Sequence, residues 1–88
     1  MSRSLQSPAY QQLRRLLIQA RTSAGLTQTQ VAERLGRPQS FISKWEGAER
    51  HLDVTEFMAL CEAIGTSAVA VLAEVEAVSA TLPTSTLR

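Results

Sequence analysis

The sequence predicts an all-α, five-helix domain, and three observations carry that prediction. Ala, Leu, Gln, Glu and Arg are plentiful while aromatics make up only 5% (Tyr10, Phe41, Trp45, Phe57), so helix formers outweigh strand formers. Apolar residues recur three and four positions apart in five successive stretches. Glycines stand where several of those stretches end. The 88 residues suffice for one core and not for two, since an independent domain needs about 50 residues or more.

The first helix is expected over 8–24. Ser7 offers a hydroxyl before a proline at the first helical position, and Tyr10, Leu13, Leu16, Leu17, Ala20 and Ala24 then fall on one side. Gly25 is its stop. Thr27 is the expected N-cap of a short second helix with Val31, Ala32 and Leu35 inward, ended by Gly36. A third helix opens at Pro38 and runs to about residue 46, with Ile42 and Trp45 on one side and Gln39, Ser40, Ser43 and Lys44 largely on the other. After a loop over 47–52, Asp53 and Glu56 read as a capping box for a fourth helix whose inner stripe is Phe57, Leu60, Cys61 and Ile64, up to Gly65.

The fifth helix is expected over about 67–82. Its apolar positions Ala68, Val71, Val75, Val78 and Leu82 step by 3, 4, 3 and 4, the spacing of a coiled-coil seam, with Val69 and Leu72 to one side, placed to dock on the domain. The domain is therefore expected over 8–82, between a flexible N-terminus (1–7) and a frayed tail (83–88) after Pro83.

Composition excludes several classes of function. A lone Cys61 closes no internal disulfide, and with a single His51 it builds no four-ligand zinc site, so no metal and no cofactor is expected. The same scarcity, with no glycine-rich phosphate loop, leaves no nucleophile-base pair, and the chain is not expected to be an enzyme. Neither a signal peptide nor a membrane span is visible, which places the expectation in the cytoplasm.

The charge of +1 conceals an asymmetry. Residues 1–50 carry eight Arg or Lys against three Glu, a net +5, whereas residues 51–88 carry one against five, a net −4. A polyanion facing the first half is the partner such a division suggests.

The segment from Gln28 to Trp45 holds two helices of about two turns each, joined by a few residues around Gly36, so tight a turn that they must cross steeply, at about 90 to 120°. Ala32 lets the backbones approach, and Gly36 permits a positive φ. With these residues in place, LTQTQVAERLGRPQSFISKWEGAERHLDVTEFMALCEAIG resembles the Cro and phage-repressor type of helix-turn-helix domain, the xenobiotic-response-element (XRE) family of bacterial and phage regulators. The resemblance covers about residues 13–72. It implies a lambda-repressor-like domain whose second and third helices bind double-stranded DNA, the third lying in the major groove. It also implies that Gln28 clamps the DNA backbone and that Arg21, late in the first helix, pairs with Glu46 at the end of the third. The family often has Arg-Gly after that glutamate, where this chain has Gly47-Ala48.

Within that frame, side chains early on a recognition helix reach base edges, making Gln39, Ser40, Ser43 and Lys44 the candidate readers. Gln39 is the leading one, because a glutamine amide pairs bidentately with adenine. Phe41 has two readings, contact with a thymine methyl or packing against the turn. Gln28 at a helix N-terminus, Arg37 in the turn and Arg50 in the next loop are the candidate phosphate contacts. A single small domain binds DNA weakly, so a homodimer is expected through Val71, Val75, Val78 and Leu82, selecting an inverted-repeat operator as a repressor; the competing reading is that Val71, Val75 and Val78 cap the chain's own core. The rival reading is an antitoxin-like interaction module whose partner is a toxin or another regulator.

Overall fold

The helix starts follow from short side-chain oxygens. Ser7 Oγ accepts from the Tyr10 N–H at 3.1 Å, Thr27 Oγ1 from Gln30 at 3.0 Å, Asp53 Oδ1 from Glu56 at 2.7 Å and Ser67 Oγ from Ala70 at 3.1 Å. Each such cap contributes about 1 kcal/mol. In a computed structural model, which describes residues 7–80, they open α1 (Pro8–Ser23), α2 (Gln28–Leu35), α4 (Val54–Ile64) and α5 (Ala68–Ala80). The remaining helix, α3 (Gln39–Glu46), has no side-chain cap; Pro38 precedes it in extended backbone, φ −64° and ψ 150°, one residue outside the start expected from sequence. Both α2 and α4 complete a reciprocal capping box, through Gln30 and Glu56.

The ends share one device. After α2 the Arg37 N–H donates to Ala32 O at 3.0 Å and the Gly36 N–H to Glu33 O at 3.1 Å, with Gly36 at φ +68°. This is the doubly bonded Schellman closure, which requires a left-handed residue. The same pair of bonds closes α1 through Gly25 and α4 through Gly65. It closes α3 as well, where Glu49 N donates to Lys44 O at 2.7 Å and Ala48 N to Trp45 O at 3.2 Å, but the left-handed residue is Ala48, at φ +64°. The departure from the family pattern at Gly47-Ala48 thus leaves the turn intact and places a Cβ where glycine is easier.

The core is continuous across all five helices. Leu17 of α1, Val31 and Ala32 of α2, Phe41, Ile42 and Trp45 of α3, Phe57, Leu60, Cys61, Ala63 and Ile64 of α4, and Val71 of α5 are buried together. Burial pushes the Cys61 thiol up to about 11, so it is an inert core group. Arg34 ties α2 to α4 by donating to Ala63 O at 2.8 Å. Strands are absent among the described residues, and no single helix there is long and apolar enough to cross a membrane.

The fifth helix corrects the sequence reading. It lies along α1, with Val71 buried, Ala68 and Val75 packed on the core and Val78 half-buried, while Val69 and Leu72 stand out at 79% and 50% exposure. Of the seam expected to join two copies, Val71 is turned onto the chain's own core while Val75 and Val78 keep part of their surface, and Val69 and Leu72, the residues expected to dock, are the exposed ones. The physical reason is composition: α5 reads AVAVLAEVEAVSA, with small or apolar residues on every side, so periodicity does not single out one face. Leu82 and Pro83, the N-terminus over 1–6 and the tail over 83–88 lie outside the described residues.

The α3 exit yields a stability test. Ala48→Gly is expected to raise the unfolding free energy by up to about 1 kcal/mol in urea titrations, because it relieves a left-handed alanine. Gly47→Ala is expected to lower it, since a Cβ there would sit 3.0 Å from Ser43 O.

Candidate nucleic-acid interface

Helix α3 divides cleanly between two environments. Phe41, Ile42 and Trp45 are buried, and Gln39, Ser40 and Lys44 are exposed on the opposite side. Ser43 is half-buried, and its hydroxyl donates back to Ser40 O at 3.2 Å. The result is a ridge whose exposed face carries an amide, a hydroxyl and an amine, all able to hydrogen-bond to a partner.

The amide is held by a chain of polar contacts that begins on α1. Arg21 Nε donates to Glu46 Oε2 at 2.7 Å and its Nη2 to Glu46 Oε1 at 3.0 Å, while Nη1 donates to Leu26 O at 2.8 Å. The two side chains are only 13% and 7% exposed. Glu46 Oε1 also accepts from Gln28 Nε2 at 2.8 Å, and Gln28 Oε1 accepts from Gln39 Nε2 at 2.6 Å. A carboxylate only accepts, so Glu46 forces the Gln28 nitrogen toward itself and the Gln28 oxygen toward Gln39. Gln39 must then give an N–H to Gln28, which leaves its oxygen and its second N–H for a partner. The Gln28 side chain, expected on phosphate, is half-buried and bridges Glu46 to Gln39 at the N-terminus of α2, the positive end of that helix.

The cations around α3 are also organised. The Arg37 guanidinium lies over the Phe41 ring at 4.2 Å from its centroid and that of Arg50 at 4.8 Å, so the buried Phe41 is packing surface beneath two cations. Both arginines also meet Glu56, through contacts of 3.2 and 3.3 Å. Despite burial, which works the other way, the Asp53 N–H and the Arg50 guanidinium hold the Glu56 carboxyl below its ordinary value. Asp53 is likewise lowered, first by the Glu56 N–H. Lys44, exposed near the end of α3, completes the cationic groups of the expected site.

Two contributors escape a reading of the sequence. Glu56 signals only a cap, because nothing local shows that Arg37 and Arg50 reach it. Tyr10 signals only an inward helix position, yet its hydroxyl accepts the Leu52 N–H at 2.6 Å and its ring meets His51 at 5.2 Å, pinning the loop after α3 to α1. Arg15 bonds to Gln12 within α1, and Arg14 lies over the Tyr10 ring at 5.7 Å. Among the described residues no cluster of three or more His, Cys, Asp or Glu is placed to hold a metal.

The Arg21–Glu46 pair is sheltered enough to test by substitution. Arg21→Ala and Glu46→Ala are each expected to lower stability by about 3 to 5 kcal/mol, because the partner left behind is a largely buried, uncompensated charge. The double variant should lose clearly less than the two losses added, which a double-mutant cycle in urea measures.

Residues 12–75 match a family model described as a helix-turn-helix domain. Among solved structures the chain is similar to an XRE-family like protein from Pseudomonas syringae pv. tomato str. DC3000, with 53% sequence identity and a TM-score of 0.80, the match covering 85% of this chain and 92% of that one. No curated protein matches the chain. The family match over most of the sequence, the close structural likeness and the α2–α3 geometry agree: the chain belongs to the XRE-type helix-turn-helix family.

Proposed function

We propose that this chain, a DNA-binding regulator of the helix-turn-helix class, binds duplex DNA sequence-specifically as a dimer and represses by occupying an inverted-repeat operator. The observation that carries the reading is the outward face of α3: Gln39, Ser40 and Lys44 are exposed, and the Gln39 amide is pre-oriented through Gln28. An oxygen acceptor beside an N–H donor matches the N6–H and N7 of adenine in the major groove. Lys44 supplies a donor for guanine or a phosphate, and Arg37, Arg50 and the first-turn N–H groups of α2 supply backbone contacts. The +5 charge of residues 1–50 supports a polyanion on this side.

Selection of bound sequences from a random duplex pool tests binding, symmetry and half-site spacing together. Against the selected site, Gln39→Ala is expected to weaken binding by about 1 to 3 kcal/mol and to relax preference at one base pair per half-site. Equal affinity of wild type and Gln39→Ala for every sequence would sink the groove-reading assignment, and an interaction module for a protein partner would take its place.

The second copy rests on the apolar residues α5 leaves outside, Val69 and Leu72. Two such domains related by a two-fold axis place their recognition helices about 34 Å apart, one turn of DNA. Val69→Glu with Leu72→Glu is expected to give monomers in sedimentation at tens of micromolar with the melting temperature retained, and to abolish cooperative operator binding. A wild-type chain that sediments as a monomer with and without DNA would overturn the dimer.

A further inference from the structure

Arg37 sits in the turn before α3 and Arg50 in the loop after it, so the two candidate phosphate contacts flank the reading helix on segments with no regular structure of their own. Long side chains on such segments sample many rotamers, and holding them in one orientation has an entropic cost at the moment of binding. In this protein a third element supplies the hold beforehand. Glu56, in the first turn of α4, is 12% exposed at its side chain and has both oxygens occupied. Its Oε1 accepts from Asp53 N at 3.0 Å and Arg50 Nη1 at 3.2 Å, and its Oε2 accepts from Arg37 Nη2 at 3.2 Å and Arg50 Nη2 at 3.3 Å. The Phe41 ring lies beneath both guanidinium groups, which remain 44% and 37% exposed.

We propose that Glu56 is a positioning residue for the DNA backbone contact: from α4 it gathers the guanidinium groups of Arg37 and Arg50 side by side over Phe41, in the first turn of the reading helix, with their remaining N–H donors available to phosphate. The inference rests on the duplex-DNA reading above. A guanidinium has five N–H donors in a rigid fork, and the bonds to Glu56 use one of them on Arg37 and two on Arg50. The carboxylate is anchored twice, by the α4 capping box and by two cations, so a phosphate adds to the cluster and does not replace it.

The alternative is that Glu56 is a brake, a negative charge that lowers the attraction between this surface and DNA. The two roles predict opposite signs, and the chain contains its own control. Helix α2 closes the same capping box with Gln30 in the equivalent place, Thr27 N donating to Gln30 Oε1 at 2.9 Å. Glu56→Gln is therefore expected to keep the α4 cap while removing the charge that holds the arginines.

The experiment titrates full-length protein against its selected duplex across a range of salt concentrations, with melting temperatures measured in parallel. Glu56→Gln is expected to bind about tenfold more weakly than wild type, although its net charge is more positive, with unchanged base preference and no steeper salt dependence. Tighter or equal binding, or a steeper salt slope, overturns the proposal and makes Glu56 a brake or a cap alone. Arg37→Lys with Arg50→Lys gives a second test should Glu56→Gln fold poorly, since charge is conserved but fork and stacking are lost. A comparable loss supports positioning, and retained affinity overturns it. Failure of wild type to bind any selected duplex refutes the DNA reading itself, and this inference with it, whereas tight wild-type binding with an indifferent Glu56→Gln refutes only the role of Glu56.

Discussion

The sheltered pair between Arg21 and Glu46 is the constraint on which the rest of the interface depends. It joins the last turn of α1 to the last turn of α3, and Arg21 additionally holds Leu26 O at the entry to α2. One guanidinium thereby fixes three helices relative to one another. Because the acceptor is a carboxylate, it also dictates the sense of the amides beyond it, and the direction of the Gln39 side chain follows from a charge placed two residues away in the hydrogen-bonded chain. A neutral acceptor and donor at Glu46 would leave that order undetermined.

A surface that reads a partner must be rigid and solvent-facing together, two demands that oppose each other. The chain separates them by face. Phe41, Ile42 and Trp45 place the mass of α3 in the core, so the helix is immobilised from behind while Gln39, Ser40 and Lys44 stay in water. The flanking segments are treated in the same way: Tyr10 secures the following loop through Leu52 N, and Glu56 and Phe41 gather Arg37 and Arg50. Side chains ordered before a partner arrives lose less entropy on meeting it.

Much of the fold is legible residue by residue. The caps at Ser7, Thr27 and Asp53 and the stops at Gly25, Gly36 and Gly65 each rest on bonds spanning six residues or fewer, and local chemistry of that kind is written directly in sequence. Most of the inward set on α1 through α4 is legible for a similar reason, since those helices mix polar and apolar residues; the exceptions are Ala24, expected inward but exposed as the C-cap of α1, and Phe41 and Ala63, buried without having been placed in the inner stripes. Of the site, the exposed face of α3 could be read from its amides, hydroxyls and amine. The meeting of Arg21 and Glu46 could be expected only through family resemblance, the two residues being 25 positions apart. Ala48 shows the limit of a local rule: its left-handed conformation is imposed by the closure of α3, against the preference of its own side chain.

The sequence by itself determined, to within a residue, where α1 to α4 begin and end and which side of α3 is polar, because helical hydrogen bonds and periodic burial are settled within one or two turns. Only the tertiary structure decided which face of α5 is buried, since a helix of alanine and valine is nearly equivalent on all sides until α1 selects one. It alone decided, too, that Arg37, Arg50 and Glu56 form one cluster over Phe41, and that the Gln28 amide bridges Glu46 and Gln39. Those outcomes depend on distances between residues far apart in the chain, which no spacing along it encodes.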